Sequence, residues 1–400
     1  MSARKPLRPR LAMVFLVLAL LAPCDAEAER LIKIAIQTPL SGEESISGID
    51  IKRGAELALE QLKKPIEDMG FTVVMEPFDD QANPAIGVEN AKRIAQDPEI
   101  LAVIGHYNSG VQIPASEIYH AAGLANLSPA NTSPAVTDRS YPEISRIVGR
   151  DDVQGLVGAE FAALHGITRA FAIHDQSAYG RGIAAIFREH ALKKGVAVLG
   201  FASLRDQSDT ETILSEVDDK QPELLYFGGT SYQAASFLKA ARQRGFSGIF
   251  LSDDGFDSSN TAEIAGPALL AGQGVYYSTV SGPATLYPDA TRFIHDFREK
   301  YPGDPQPFAA QAYDCMAMCL KALENAARDT AKKDAQPSRA AVAKAIRALN
   351  GFKGITGSFS FNDKGDPTSA KYFIIQVKSD DPKRWNENIP ARALDVEPPR

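Results

Sequence analysis

The sequence predicts an α/β protein built of two doubly wound, parallel-sheet lobes. Three observations predict it. Short, near-continuous apolar runs of the kind that fill buried parallel strands alternate with amphipathic helical stretches. The β-α-β-α-β order up to about residue 137 begins again after about residue 149. The chain has 400 residues, 44% hydrophobic and 23% charged, which is enough for two cores of ordinary composition.

In chain order, the first segment reads as a targeting signal. Arg4, Lys5, Arg8 and Arg10 make a basic stretch, Leu11 to Ala22 is apolar but short for a membrane span, and Ala26-Glu27-Ala28 offers a small-x-small cleavage site. Residues 1–28 are therefore expected to be a signal peptide, with export to the periplasm and a mature start near Glu29. The alternative is a lipoprotein anchored at Cys24, but Pro23 departs from the pattern that such processing needs. The net charge is −7, and removing residues 1–28 takes away four basic and two acidic residues to leave −9. No nucleic-acid partner is expected, because such proteins present basic patches.

Ile32 to Gln37 is the first strand, and the loop from Thr38 to Gly48 leads into a helix with apolar residues at Ile51, Ala55, Ala58 and Leu62. Phe71 to Phe78 is the second strand. Asn83 and Pro84 then read as the N-cap and first residue of another helix. Leu101 to Gly105 is a third strand, followed by His106-Tyr107-Asn108-Ser109-Gly110 and a helix that begins near Val111 to Pro114. A fourth strand, Leu124 to Leu127, runs into Ser128-Pro129-Ala130-Asn131-Thr132. Ligands of open α/β sheets sit beyond the carboxyl ends of strands. Ser109 and Thr132 stand in two such loops, where hydroxyls and free backbone N–H groups suit an anion.

The second lobe repeats the plan. Its expected strands are Ala170 to His174, Ala197 to Ser203, Leu224 to Phe227 and Gly248 to Leu251, and their loops carry Tyr179, Thr230 and Asp253-Asp254. Facing lobes of this kind make a cleft. Later stretches read as helices over 293–301, 305–327 and 338–349 and a last strand from Tyr372 to Val377. Cys315 and Cys319 lie four apart on one helix face, too far for an easy disulfide and without histidines for a metal site, so they read as buried small apolar residues.

Enzyme signatures are missing: there is no Gly-x-Ser-x-Gly, Walker-A, His-Glu-x-x-His or Gly-x-Gly-x-x-Gly motif. His174-Asp175 is a poor catalytic pair because adjacent strand residues point to opposite faces. Asp253-Asp254 alone is a weak metal site. No cofactor is expected.

The segments Val103-Ile104-Gly105-His106, Pro114-Ala115-Ser116-Glu117-Ile118-Tyr119 and Leu127-Ser128-Pro129-Ala130-Asn131-Thr132 resemble the periplasmic branched-chain amino-acid-binding proteins, the solute-binding components of ABC importers. Further resemblance lies in the Pro39-Leu40-Ser41-Gly42 loop, the 79–84 turn, the 308–314 segment and the 352–366 region, so it covers nearly all of 31–378. It implies a type I periplasmic binding fold with three hinge crossings near 149, 278 and 356. Lobe 1 is then 29–149 plus 279–356, lobe 2 is 150–278 plus 357–378, and 379–400 is a loosely ordered tail.

The resemblance also implies roles. Ser109 and Thr132 hold a ligand α-carboxylate, Asp254 faces the ammonium, and the Ala130 carbonyl is an extra ammonium partner. Leucine-type binders carry tyrosine walls at the positions aligning with Ser47 and Thr230, which are small here. Tyr107, Tyr179 and Phe308 remain as walls and Asn108 as a polar contact. The expected ligand is therefore an amino acid bulkier or more polar than leucine, delivered by a monomeric carrier to inner-membrane ABC permease subunits. Other readings are a binding protein or sensor for amides or aromatic acids without an amine, and an exported α/β hydrolase.

Overall fold

The computed structural model describes residues 30–206, 208–330 and 335–397. The expected signal segment, its cleavage site and Cys24 lie outside the described residues. Among the described residues no helix is long and apolar enough to cross a membrane.

The first lobe is a five-stranded parallel sheet of β1 (Arg30–Thr38), β2 (Phe71–Asp79), β3 (Ile100–Gly105), β4 (Ala125–Ser128) and β5 (Ile144–Arg146), in the order β2-β1-β3-β4-β5. The central strands are apolar on both faces because helices cover both. Ile32, Ile34 and Ile36 of β1 pack into the same core as Ile51, Ala55 and Ala58 of the following helix. That helix, Ser45–Leu62, lies against Ala309–Arg328, which returns from late in the chain. Gly54 permits the contact, since a Cβ there would stand 2.0 Å from the Ala309 carbonyl oxygen. Cys315 and Cys319 are free thiols buried in this core.

The second lobe holds β6 (Arg169–His174), β7 (Ala197–Ser203), β8 (Leu224–Gly228), β9 (Ile249–Ser252) and β10 (Val275–Thr279), all parallel. A small ribbon of β11 (Phe352–Lys353) and β12 (Ser358–Phe359) follows in the chain. Two antiparallel strands, β13 (Ala370–Gln376) and β14 (Ile389–Val396), then complete the second sheet, in the order β14-β13-β10-β9-β8-β6-β7.

The structure corrects three expectations. Residues 379–397 are not a loose tail: β14 pairs with β13 along its length, and Trp385 is buried, with its indole N–H donating to Asp257 Oδ1 at 2.8 Å and its ring stacked on Tyr277. Trp385 is the one tryptophan of the chain, and burying it brings order to the charged residues around it. The last strand is accordingly β14, not β13. The last passage between the lobes lies after residue 367 rather than at 356. The Asn362–Gly365 turn is held on the first lobe, where Arg146 N–H donates to the Gly365 carbonyl at 2.9 Å and Arg347 donates to the Asp363 carbonyl.

A buried ion cluster joins the first and last passages. Asp366 is ion-paired with Arg146, whose Nε stands 2.8 Å away, and accepts from Arg150 at 3.0 Å and from the Thr137 hydroxyl at 2.6 Å. Gly149 lies against the Tyr372 ring, and the Tyr372 hydroxyl accepts from the Arg150 N–H at 2.7 Å. Buried carboxylates and guanidiniums need such mutual pairing to offset lost hydration.

Candidate functional site

On the first lobe, three loops at strand ends converge. The helix after β3 begins at Ser109, two residues before the expected start, and so contains Pro114 beyond its first turn. Ser109 and Gly110 thus occupy the helix start, where backbone N–H groups lack intrahelical partners and the dipole favours an anion. Asn131 ties this loop to the one after β4: its Nδ2 donates to the Tyr107 carbonyl at 2.9 Å and its Oδ1 accepts from His106 N–H at 3.0 Å. The Arg146 guanidinium in turn donates to the Asn131 carbonyl at 2.9 Å. Ser109 and Thr132 are brought side by side in this way; Ser109 Oγ accepts from the Ser133 N–H at 3.4 Å.

The third loop precedes the Ser45–Leu62 helix. Gly48 lets that helix start close to Pro39; a Cβ at this position would stand 1.8 Å from the Pro39 carbonyl oxygen. The N-cap residue, Glu44, is thereby directed inward, and the Asn108 amide donates to its carboxylate at 2.5 Å.

On the second lobe, buried aspartates set the loops. Asp175 accepts from Ser177 N–H and Oγ and from Thr230 N–H at 2.7–3.0 Å, and Ser177 caps the following helix by accepting from Gly180 N–H. Asp253 accepts from the N–H groups of Gly229 and Gly255. These bonds leave Asp254 and Tyr179 facing the cleft, with the Tyr179 hydroxyl donating to Asp254 Oδ1 at 2.6 Å and accepting from Gly255 N–H at 3.1 Å. His174 plays a structural part: its Nδ1 accepts from Gln176 N–H and its ring lies on Phe201.

Between the lobes is a cavity of about 400 Å³, within the ~300–1,000 Å³ usual for small-ligand sites. The first lobe lines it with Glu44, Tyr107, Asn108, Ser109, Ala130 and Thr132, and the second with Asp175, Gln176, Ser177, Tyr179, Thr230 and Asp254. No lysine, arginine or histidine is among its lining residues. Burial pushes the Asp254 carboxyl up to about 6, against the favourable Tyr179 and Gln154 hydrogen bonds. Asp253, wholly buried beside it, is also raised, first by burial and then by Asp254. Burial likewise raises Glu44 to about 7, with Asp175 and Asp80 adding repulsion. Behind the wall, Asp151 is hydrogen-bonded to Thr132, and its Oδ1 is buried without a partner. Burial and Asp254 favour its protonated form.

Eight expected residues line the cavity: Tyr107, Asn108, Ser109, Ala130, Thr132, Tyr179, Thr230 and Asp254. Two do not. Ser47 is turned back into the protein, where it hydrogen-bonds the Tyr107 hydroxyl, and Phe308 packs edge-on to the far side of the Tyr107 ring at 6.0 Å. Both therefore support a wall rather than form one. The helix start explains the difference: Glu44 precedes the first helical residue and faces the cleft, whereas Ser47 is already inside the helix on its buried face. Glu44, Asp175 and Asp151 escaped the sequence reading. The only sequence signal for Glu44 is its place in a loop bordering the cleft, and for Asp175 its place beside His174 at a strand end.

Two lobes that face each other across a cavity, one presenting hydroxyls and helix-start amides and the other a carboxylate, define a solute-binding protein of the type I periplasmic fold. The chain belongs to the periplasmic binding protein family, whose model matches residues 31–382. It is 28% identical over 355 residues to Leu/Ile/Val-binding protein homolog 1 of Brucella suis biovar 1, covering 88% of this chain and 92% of that protein. It is 29% identical over 351 residues to the leucine-, isoleucine-, valine-, threonine- and alanine-binding protein of Pseudomonas aeruginosa, covering 87% and 90%. Among solved structures it resembles the leucine-binding protein LivK of Thermotoga maritima, with a TM-score of 0.80 and 26% identity over 91% of this chain and 99% of that one. These relatives are binding proteins, and this chain is one of the same type, not an enzyme.

Proposed function

We propose that the protein captures an amino acid between its lobes in the periplasm and presents it, as a monomeric carrier, to the inner-membrane permease of an ABC importer. The observation that carries this reading is the division of one cavity between complementary poles. Ser109, Thr132 and the helix-start amides on one lobe suit a carboxylate, and Asp254 on the other suits an ammonium. Ala130 lines the same cavity, and its carbonyl is proposed as a further partner of the ammonium. A zwitterion bridging both lobes binds the closed form better than the open one and so favours closure. Relatives named as amino-acid binders and as ABC transporter substrate-binding proteins support the same reading.

The test is calorimetry on protein that has been unfolded, dialysed and refolded, titrated with the twenty amino acids and with short amides and benzoate. Saturable binding of at least one amino acid, with no turnover, is expected. Amides or benzoate binding while every amino acid fails would replace this reading with that of an amine-free ligand. Product formation would replace it with an enzyme.

A further inference from the structure

The charges of the cavity do not balance for a simple zwitterion. A zwitterion brings one cation and one anion. The Ser109–Thr132 pole takes the anion and Asp254 takes the cation. Glu44 is then left over. Asp175, the other lining carboxylate, is already occupied on both oxygens by Ser177 and by Thr230 N–H. Glu44 is bound by the Asn108 amide and the Thr230 hydroxyl, which leaves capacity on a group with about four acceptor sites. Beside it, Asn108 spends its Nδ2 on Glu44, and its own Oδ1 is buried without a partner. A desolvated carboxylate without a counter-charge is costly, whereas one paired with a hydrogen-bonding cation is not.

We propose that the ligand carries a second cationic group, an amino or guanidino group at the end of its side chain, and that Glu44 holds it. This deepens the amino-acid reading and rests on it. The apolar stem of such a side chain has Tyr107 and Tyr179 to lie against, and both rings line the cavity. The cation's several N–H groups then supply the donors that Glu44 and Asn108 Oδ1 lack. Proton linkage follows with a definite sign. In the empty cavity the Glu44 carboxyl is raised to about 7 by burial, with Asp175 and Asp80 adding to the rise; Tyr107 and Asp254 also face that space. A bound cation favours the ionised form, so binding at pH 6.5 releases a proton from Glu44.

The experiment compares pairs of α-amino acids that differ in the terminal charge: lysine against norleucine, and arginine against citrulline. They are titrated into refolded full-length protein and into Glu44→Gln, in two buffers of different ionisation enthalpy. A basic member binding at least tenfold tighter than its neutral partner is expected. Glu44→Gln should abolish that preference and remove part of the proton release. Norleucine, citrulline or leucine binding as tightly as the basic members overturns the inference and leaves the amino-acid reading standing. Unchanged binding of lysine and arginine by Glu44→Gln overturns it as well. If no α-amino acid binds at all, both readings fail together.

Discussion

Asp254→Asn separates the ammonium role from the shape of the site. The Tyr179 hydroxyl accepts from Gly255 N–H and has one proton to give, which goes to Asp254 Oδ1. In the variant that proton holds the amide oxygen toward Tyr179, and the amide NH2 takes the other side. An acceptor is thereby turned into a donor against an ammonium that can only donate. The loss is at least that of a hydrogen bond to a charged group, about 1.5–3 kcal/mol, or roughly ten- to 150-fold in Kd. The unliganded protein should respond in the opposite direction. The Asp254 carboxyl is raised to about 6 in the folded protein, so the folded state holds more protons than the unfolded chain between about pH 4 and pH 6. Its contribution to stability is therefore lost as pH rises through that window. Asparagine carries no such charge, so at pH 7.5 the unliganded variant should melt above the wild type, and by a smaller margin at pH 5. Calorimetry measures the first effect and thermal unfolding at the two pH values the second. Native affinity in Asp254→Asn would refute the ammonium role, and a variant that melts lower at pH 7.5 would refute the charge argument.

Three further outcomes follow from the same geometry. Thr132→Val keeps the volume but removes the hydroxyl, and with it the Asp151 hydrogen bond, and should weaken amino-acid binding about tenfold or more by titration. Asp366→Asn leaves Arg146 and Arg150 buried without their shared counter-charge, which should destabilise the protein by about 3–5 kcal/mol and lower its urea midpoint. Trp385→Ala removes the indole from Tyr277 and from Asp257, with an expected cost of about 3–5 kcal/mol; a midpoint unchanged from wild type would restore the loose tail.

Much of the site could be read because it depends on strand ends. Ser109 and Thr132 follow apolar runs too short for anything but buried strands, and Asp254 follows another, so their loops had to meet at one end of each sheet. Asn83 could be named as a cap from its own sequence, and it accepts from the Ala85 and Ile86 N–H groups as expected. Ser47 and Phe308 were placed wrongly because each depends on where a helix begins. A start one or two residues away turns a side chain by 100–200°, and the start after β1 is set by the contact of Gly48 with Pro39, which is not local to any pattern.

What the sequence determined by itself was therefore the alternation of strands and helices, the existence of two lobes and the loops that border the cleft, because apolar periodicity and glycine-proline punctuation are local properties of the chain. Only the tertiary structure decided which loop residues face the cavity, that Glu44 is among them, and that residues 379–397 are built onto the second sheet. Those outcomes turn on contacts between segments far apart in sequence, such as Trp385 with Asp257 and Asp366 with Arg146, and on the removal of water from a space that exists only when both lobes enclose it.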